Sequence, residues 1–314
     1  MNNKKILGFI LGIIFIAVLG YIIKVNIHSN TPQQSTNANN QAKSSSVVKV
    51  VAAENFYGDV VKQLGGEHVS VTSILSDPNA DPHEYESSVP DAVAVSQADI
   101  VLENGLEYDT WMDKLLSASP NSSRQVLIAG QIAAHPLPDN PHIWYGIDNM
   151  ASIANAITSA LKKADPADLS TFNNNLQTFN NSLSPLLQKI DEIKSKYQNT
   201  PVGLTETIYL YQTQAMSLNV LTPYNFEKAL AEGNDPSVAD VKTTNQQVQN
   251  KQIKVLIYNN QTVTPITTNL QNMAKQLGIP VVQVSETMPQ DKTYQSWMLG
   301  QLNDLEQSLQ QVVK

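Results

Sequence analysis

Histidine is the rarest residue in this chain that can ligate a transition metal, with five copies, and there is no cysteine. Without thiolates, a site for such an ion has to be built from imidazole nitrogens and carboxylate oxygens. Two histidines lie in loops rich in proline and acidic residues: His83 in DPNADPHEYESS and His142 in PDNPHIWYGIDN. Trp144 and Tyr145 follow His142 and could shield it from water. Each of these histidines, taken alone, is also compatible with an ordinary loop residue.

The remaining three histidines have simpler interpretations. His28 lies in a polar stretch and is predicted to be solvated. His68 follows Gly65 and Gly66 and is predicted to be a turn residue. His135 lies seven residues before His142, where a solvent-exposed loop histidine is favoured over a secondary metal contact.

Composition narrows the class of protein. The chain has 314 residues, of which 41% are hydrophobic, and its formal net charge is −8. A sizeable core is therefore possible, whereas a nucleic-acid-binding protein would need a basic surface. An acidic balance is compatible with cation capture.

The N-terminus resembles a membrane segment followed by a tether. Ile6–Ile23 is uncharged and strongly apolar, with Lys4 and Lys5 before it. At ~1.5 Å per residue it would span about 27 Å, close to the hydrocarbon thickness of a bilayer. We expect an uncleaved anchor (1–27), with the bulk of the chain outside the cell, although a cleaved signal peptide is the alternative. Residues 28–46 are polar and of low complexity, which predicts a flexible linker.

The folded part must position the candidate residues, and its pattern predicts an α/β protein with two lobes. In 47–165, apolar runs and helical spacing alternate as β-α-β-α-β, which indicates a mostly parallel sheet with flanking helices. Residues 166–199 have helical periodicity, interrupted at Pro185, and are predicted to form a long connecting helix. The alternation returns in 200–314. The cleft between two such lobes is the expected ligand site.

Two motifs resemble those of metal-binding proteins of ABC importers for manganese or zinc. The first, DPHEYESSVPDAVAVSQADIVLENGLEYDTWMDKLL, contains Asp81-Pro82-His83, Tyr85 and Glu86, followed by Ala98-Asp99, Asn104-Gly105-Leu106 and Trp111. The second, DNPHIWYGIDNMASIANAITSAL, matches the family's D-P-H-hydrophobic-W motif at Pro141, His142 and Trp144, with Asn140 where Asp is usual. The resemblance extends from about Val47 to the C-terminus and is looser in the second half.

This resemblance implies four metal ligands, two from each lobe. His83 and His142 would be the first pair, and Glu206, in TETIYLYQ, falls on a position where the family has His or Glu. The fourth ligand is usually an Asp after the last strand; Glu286 fits that register best, and Asp291 is the alternative. Glu206 is also explained as an acidic residue at a helix N-terminus.

The resemblance further implies a function and partners. The chain would capture Mn²⁺ or Zn²⁺ outside the cell and deliver it, as a monomer, to a permease and its ATPase, without catalysing a reaction. Two imidazoles with two carboxylates resemble the manganese branch more than the zinc branch, although affinity alone favours Zn²⁺. The alternatives are a metal-dependent hydrolase, which would need an open coordination position, and a surface adhesin that uses the same fold.

Overall fold

Two four-stranded parallel sheets form the framework of the computed structural model, which describes residues 47–77 and 85–313. The strand order is β2-β1-β3-β4 in the first sheet and β6-β5-β7-β8 in the second, and every strand pairing is parallel. The strands are β1 (Val48–Glu54), β2 (Val69–Leu75), β3 (Ile100–Glu103), β4 (Gln125–Ile128), β5 (Pro201–Leu204), β6 (Asn219–Val220), β7 (Val255–Asn259) and β8 (Val281–Val284). The predicted pair of α/β lobes is confirmed.

Helices connect and cover these strands. In the first half they are α1 (Asn55–Gly65), α2 (Val89–Gln97), α3 (Thr110–Ala118), α4 (Ala129–Ile132) and α5 (Ile147–Ala164). Then follow α6 (Leu169–Ser182) and α7 (Ser184–Tyr197). The second half contains α8 (Leu210–Ala215), α9 (Tyr224–Ala231), α10 (Val238–Gln249), α11 (Pro265–Gln276) and α12 (Tyr294–Val312).

The connection between the halves differs from the single long helix that the sequence predicts. It contains two consecutive helices, α6 and α7, which are separated at Leu183. Pro185 lies in the first turn of α7, where its missing N–H and fixed φ are tolerated, so the interruption falls where the proline predicts it. The boundaries 47–165, 166–199 and 200–314 remain predictions.

Short elements account for the other differences from the sequence-based prediction. Three elements of the first half, α3, β4 and α4, lie beyond the predicted β-α-β-α-β alternation. β4 has only four residues and completes one edge of the first sheet. β4 and α4, with four residues each, carry too few apolar residues to show a period.

One hydrophobic core runs through both halves of the described chain. Phe56, on α1, is fully buried; its ring stacks on Trp144 at 4.6 Å between centroids and lies 5.9 Å from Trp297 of α12. α12 also packs on α7 and on strand β8. The last helix of the chain therefore contacts the segment that connects the two halves. The halves are thus joined by side-chain packing as well as by covalent connection.

The N-terminal predictions fall outside the structure. Ile6–Ile23, His28 and the rest of 1–46 lie outside the described residues. Among the helices that are described, none combines the length and apolarity needed to cross a bilayer.

Because the core is shared, we expect the halves to unfold together. Phe56→Ala should lower the free energy of unfolding by about 3–5 kcal/mol, since it removes a fully buried aromatic ring. Urea unfolding followed by circular dichroism should show a single transition that shifts as a whole, while Leu187→Ala, at a residue 43% exposed, should change it little. Two separate transitions, only one of which moves, would contradict a common core.

Candidate metal centre

The structure brings residues from both halves together at the carboxyl ends of the strands. Glu206 lies two residues after β5, Glu286 lies two residues after β8, and His142 directly precedes a 3-10 turn, Ile143–Tyr145. His142 is fully buried, and each glutamate is 1% exposed. His142 Nε2 and Glu286 Oε2 are 4.0 Å apart, which suits two ligands each ~2.0–2.2 Å from one ion. His83 lies outside the described residues.

Glu286 is held from both sides of the cleft. The Tyr108 hydroxyl, from the first half, donates to Oε2 at 2.9 Å, and the Asn259 side chain, at the end of β7, donates to Oε1 at 2.6 Å. Asp291, the alternative ligand, is exposed on the surface. The geometry therefore places Glu286, rather than Asp291, beside His142.

Glu206 is linked to Glu286 through two polar side chains. Asn259 also donates to the hydroxyl of Thr262 at 3.0 Å, and that hydroxyl donates to Glu206 Oε2 at 3.3 Å. Within the described residues, His142, Glu206 and Glu286 do not form a set whose ligand atoms all lie within 4.8 Å of one another. His142 and Glu286 form the close pair, with Glu206 connected to it by hydrogen bonds.

Aromatic rings and one amide surround His142. Its ring lies edge-on to Trp144, with centroids 5.3 Å apart, and to Tyr108, at 6.0 Å. Its Nδ1 is 2.9 Å from Oδ1 of Asn140. Trp144 is itself fully buried, so this face of the His142 ring packs against the core.

The loop after β3 supports these contacts. Asn104 accepts a hydrogen bond from Tyr57 at 2.7 Å and donates one to the carbonyl of Pro141 at 3.0 Å, next to His142. The Asp109 carboxylate accepts from the backbone N–H groups of Asn104 (2.6 Å) and Gly105 (2.7 Å). Gly105 has φ +71, and a Cβ there would lie 2.6 Å from a methyl group of Ile128, so the turn requires glycine.

Beneath this loop lies a buried acidic cluster, which we define as Glu54, Glu103 and Asp109. Burial raises the pKa of Glu54 well above its usual value, and the charges of Asp109 and Glu103 raise it further. Burial likewise raises the pKa of Glu103 to about 7 and that of Asp109 to about 6. In the described part of the chain, no other residue donates a hydrogen bond to either Glu54 oxygen. Burial among other acids therefore favours the neutral form of Glu54 over the ionised one.

Two other histidines lie away from this centre. His135 is exposed, as its loop position predicts. His68 ends a 3-10 turn, which confirms the turn prediction, and its Nδ1 is 3.1 Å from Asp168 Oδ2. Asp165 is close enough that one ligand atom from each of the three lies within 4.8 Å of the others. The direct contact in this group joins His68, just before β2, to Asp168, just before α6.

The residues that hydrogen-bond to Glu286 and Glu206 were not predicted from the sequence. Tyr108, Asn259 and Thr262 were not predicted to contribute, although Asn259 has a recognisable signal: it is a polar residue that ends the buried strand KVLIYN. Tyr108 has no such signal, because its partner Glu286 is 178 residues away.

The sequence of this chain matches the model of a known protein family. The family model described as ZnuA, zinc-uptake complex component A, periplasmic, matches residues 50–308. The chain therefore belongs to this family of substrate-binding proteins of metal importers, as its motifs indicated.

Relatives and solved structures agree with the family and the fold. The chain is 25% identical over 291 residues to the metal ABC transporter substrate-binding lipoprotein ScbA of Streptococcus cristatus, covering 84% of this chain and 90% of that one. It is 27% identical over 229 residues to SsaB of Streptococcus sanguinis, a lipoprotein of the same description, covering 67% of this chain and 72% of that one.

Among solved structures, the periplasmic zinc-binding protein TroA of Treponema pallidum superposes with a TM-score of 0.70 at 18% identity, covering 83% of this chain and 99% of TroA. FpvC of Pseudomonas aeruginosa with Mn²⁺ also has a TM-score of 0.70, at 20% identity, covering 84% and 98%. The last two show likeness of fold.

The acidic cluster predicts how stability depends on pH. Burial raises the pKa of Glu54 in the folded chain above its unfolded value of ~4.5, so its contribution to stability is full below that pH and is lost as the pH rises toward the folded-state pKa. Glu54→Gln keeps the size of the side chain but cannot ionise. We expect it to reduce the loss of unfolding free energy between pH 5 and pH 8, by about 1.4 kcal/mol for each pH unit by which the Glu54 pKa is raised.

Urea unfolding with a chelator present at both pH values measures this loss. Glu67→Gln, at an exposed glutamate, is the matched control and should behave like the wild type. If Glu54→Gln loses as much stability as the wild type between pH 5 and pH 8, Glu54 is not the proton-holding group.

Proposed function

We propose that this protein captures a divalent transition metal, Mn²⁺ or Zn²⁺, outside the cell and delivers it to an ABC permease and its ATPase. The observation that carries the proposal is the approach of His142 Nε2 to Glu286 Oε2, at 4.0 Å, between two halves of the fold. Both side chains are buried, and their outer atoms are oriented by hydrogen bonds. His83 and Glu206 would complete the ligand set.

The chemistry of this ligand set suits a divalent cargo. Two neutral imidazoles and two carboxylates neutralise a 2+ ion, so a metal can be buried without a net charge. Imidazole favours Zn²⁺, and added carboxylates suit harder ions such as Mn²⁺. The Tyr108 and Asn259 donors keep Glu286 oriented, which is the usual way that outer hydrogen bonds tune metal ligands.

The ligand set also argues for transport rather than catalysis. A catalytic metal needs an open position for water or substrate, and four protein ligands around a tetrahedral ion leave none. The matched relatives carry the names of substrate-binding proteins of metal ABC transporters, which supports a permease as the partner. A role in adhesion is compatible with this fold but does not explain a buried histidine–glutamate pair.

We further propose that the chain is held at the outer face of the membrane by Ile6–Ile23 and acts as a monomer. The relatives named above are lipoproteins, whereas this sequence contains no cysteine to carry a lipid. The apolar segment has the length to serve as an anchor in place of the lipid.

Metal binding tests the proposed site directly. The full-length chain in detergent should bind one Mn²⁺ or Zn²⁺, and His142→Ala and Glu286→Gln should each weaken binding by more than about 100-fold, since losing an outer-shell partner alone costs 10–100-fold. Calorimetry or competition with a chelator measures these affinities. Asp291→Asn, at the exposed alternative, should bind like the wild type. Unchanged affinity in both site variants, or a loss in Asp291→Asn alone, would refute the assignment.

The anchor has its own test. Cells that produce the chain with a C-terminal tag should retain it in the membrane fraction, with Met1 or Asn2 as the N-terminal residue. Replacing Leu11 and Ile14 with Asp should release it, because charges within the apolar segment oppose membrane insertion. A secreted product that begins after residue 23 would show that the segment is a cleaved signal.

A further inference from the structure

Asn140 is buried between the two halves of the site and contacts residues of both halves. It stands where the related motif D-P-H usually has Asp, and it is only 2% exposed. The preceding residue, Asp139, has φ +52, a left-handed conformation that is uncommon outside glycine and turns the chain into the site. Such a strained turn is maintained only when surrounding contacts determine it.

The hydrogen bonds of Asn140 fix which way its amide points. Its side-chain nitrogen is 2.9 Å from the backbone carbonyl of Thr207, and its side-chain oxygen is 3.0 Å from the backbone N–H of His142. A carbonyl can only accept and a backbone N–H can only donate, so both contacts require the same orientation. The oxygen therefore faces His142, and the nitrogen faces the second half.

This orientation determines the tautomer of His142. The same Asn140 oxygen lies 2.9 Å from His142 Nδ1, and an amide oxygen can only accept, so Nδ1 carries the proton. In the neutral imidazole the lone pair is then on Nε2, the nitrogen that faces Glu286 at 4.0 Å. Asn140 thus presents the ligating nitrogen of His142 to the cleft.

The other end of the Asn140 amide reaches the loop that carries Glu206. Thr207 is the next residue after Glu206, so its carbonyl moves with the Glu206 backbone. The Tyr211 hydroxyl, also from the second half, donates to the backbone carbonyl of Asn140 at 3.1 Å. The side chain of Lys228, on α9, contacts Asp139 at 3.0 Å. The segment before His142 is therefore bound on several sides by the second half.

We propose that Asn140 is a positioning residue that couples the two halves of the metal site: one end of its amide selects the His142 tautomer that leaves Nε2 for the metal, and the other holds the Glu206 loop across the cleft. This inference rests on the proposed function. An ionised aspartate would keep the first role and lose the second, because it cannot donate to Thr207 and would place a negative charge against that carbonyl. Asparagine at this position thus adds an interlobe bond that the usual aspartate would not make.

Two substitutions separate the roles in the full-length chain, with Zn²⁺ as the probe. Asn140→Asp keeps the acceptor and removes the donor, so the metal-free protein should retain the Nδ1–H tautomer of His142 in long-range ¹H–¹⁵N spectra. Its Zn²⁺ should dissociate into excess chelator about tenfold faster, the consequence of losing one buried hydrogen bond and leaving a carbonyl unpaired. Asn140→Ala should shift His142 toward the Nε2–H tautomer and release Zn²⁺ faster as well.

Asn149→Asp is the matched control. Asn149 is 1% exposed, its oxygen accepts from the backbone N–H of His135 at 2.7 Å, and its nitrogen donates to the Ile143 carbonyl at 3.3 Å, all within the first half. It should keep the wild-type dissociation rate and tautomer. If Asn140→Asp releases Zn²⁺ at the rate of Asn149→Asp or more slowly, or if Asn140→Ala keeps the Nδ1–H tautomer, Asn140 does not couple the halves. If the wild-type chain itself binds no Zn²⁺, the proposed function fails and this inference fails with it.

Discussion

The hydrogen bonding of the buried carboxylate of Glu286 is the interaction on which the site depends. A carboxyl group in a protein interior needs hydrogen-bond partners to replace its hydration. Glu286 obtains them from Tyr108 in the first half and from Asn259 in the second. The position of Glu286 therefore depends on contacts from both halves. The same dependence extends to His142, since Asn140 draws on both halves to orient it.

Other buried acidic groups near the site have raised pKa values. Burial raises the pKa of Glu103, of Asp109 and, most of all, of Glu54. Glu227, on α9, is also buried, and its pKa is raised first by desolvation and then by the charge of Glu206. A raised pKa favours the neutral form of a carboxyl group, which limits the repulsion among neighbouring acids.

The sequence predicts the parts of this arrangement that depend on local pattern. β-branched runs predict β1 and β7, and the family motifs predict that His142 and a carboxylate after the last strand will meet, which they do at 4.0 Å. The residues that hold them could not be predicted in the same way. Tyr108 acts on a residue 178 positions away, and this contact exists only after both sheets have formed. The break at Leu183 could be predicted only in part. Pro185 predicts an interruption of the connecting helix, but not that the segment divides into two full helices.

The matching strand orders explain why ligands and supports occupy equivalent places. In β2-β1-β3-β4 and β6-β5-β7-β8, β1 corresponds to β5 and β3 to β7. Each half then places a glutamate at or just after the first of these strands, Glu54 and Glu206, and an asparagine at the end of the second, Asn104 and Asn259. Asn104 holds the Pro141 carbonyl beside His142, and Asn259 holds Glu286. Glu54, by contrast, is enclosed with other acids, which raise its pKa together with burial, whereas Glu206 has a hydroxyl partner in the cleft. The topology places a glutamate at an equivalent position in both halves, and the side chains around each one differ.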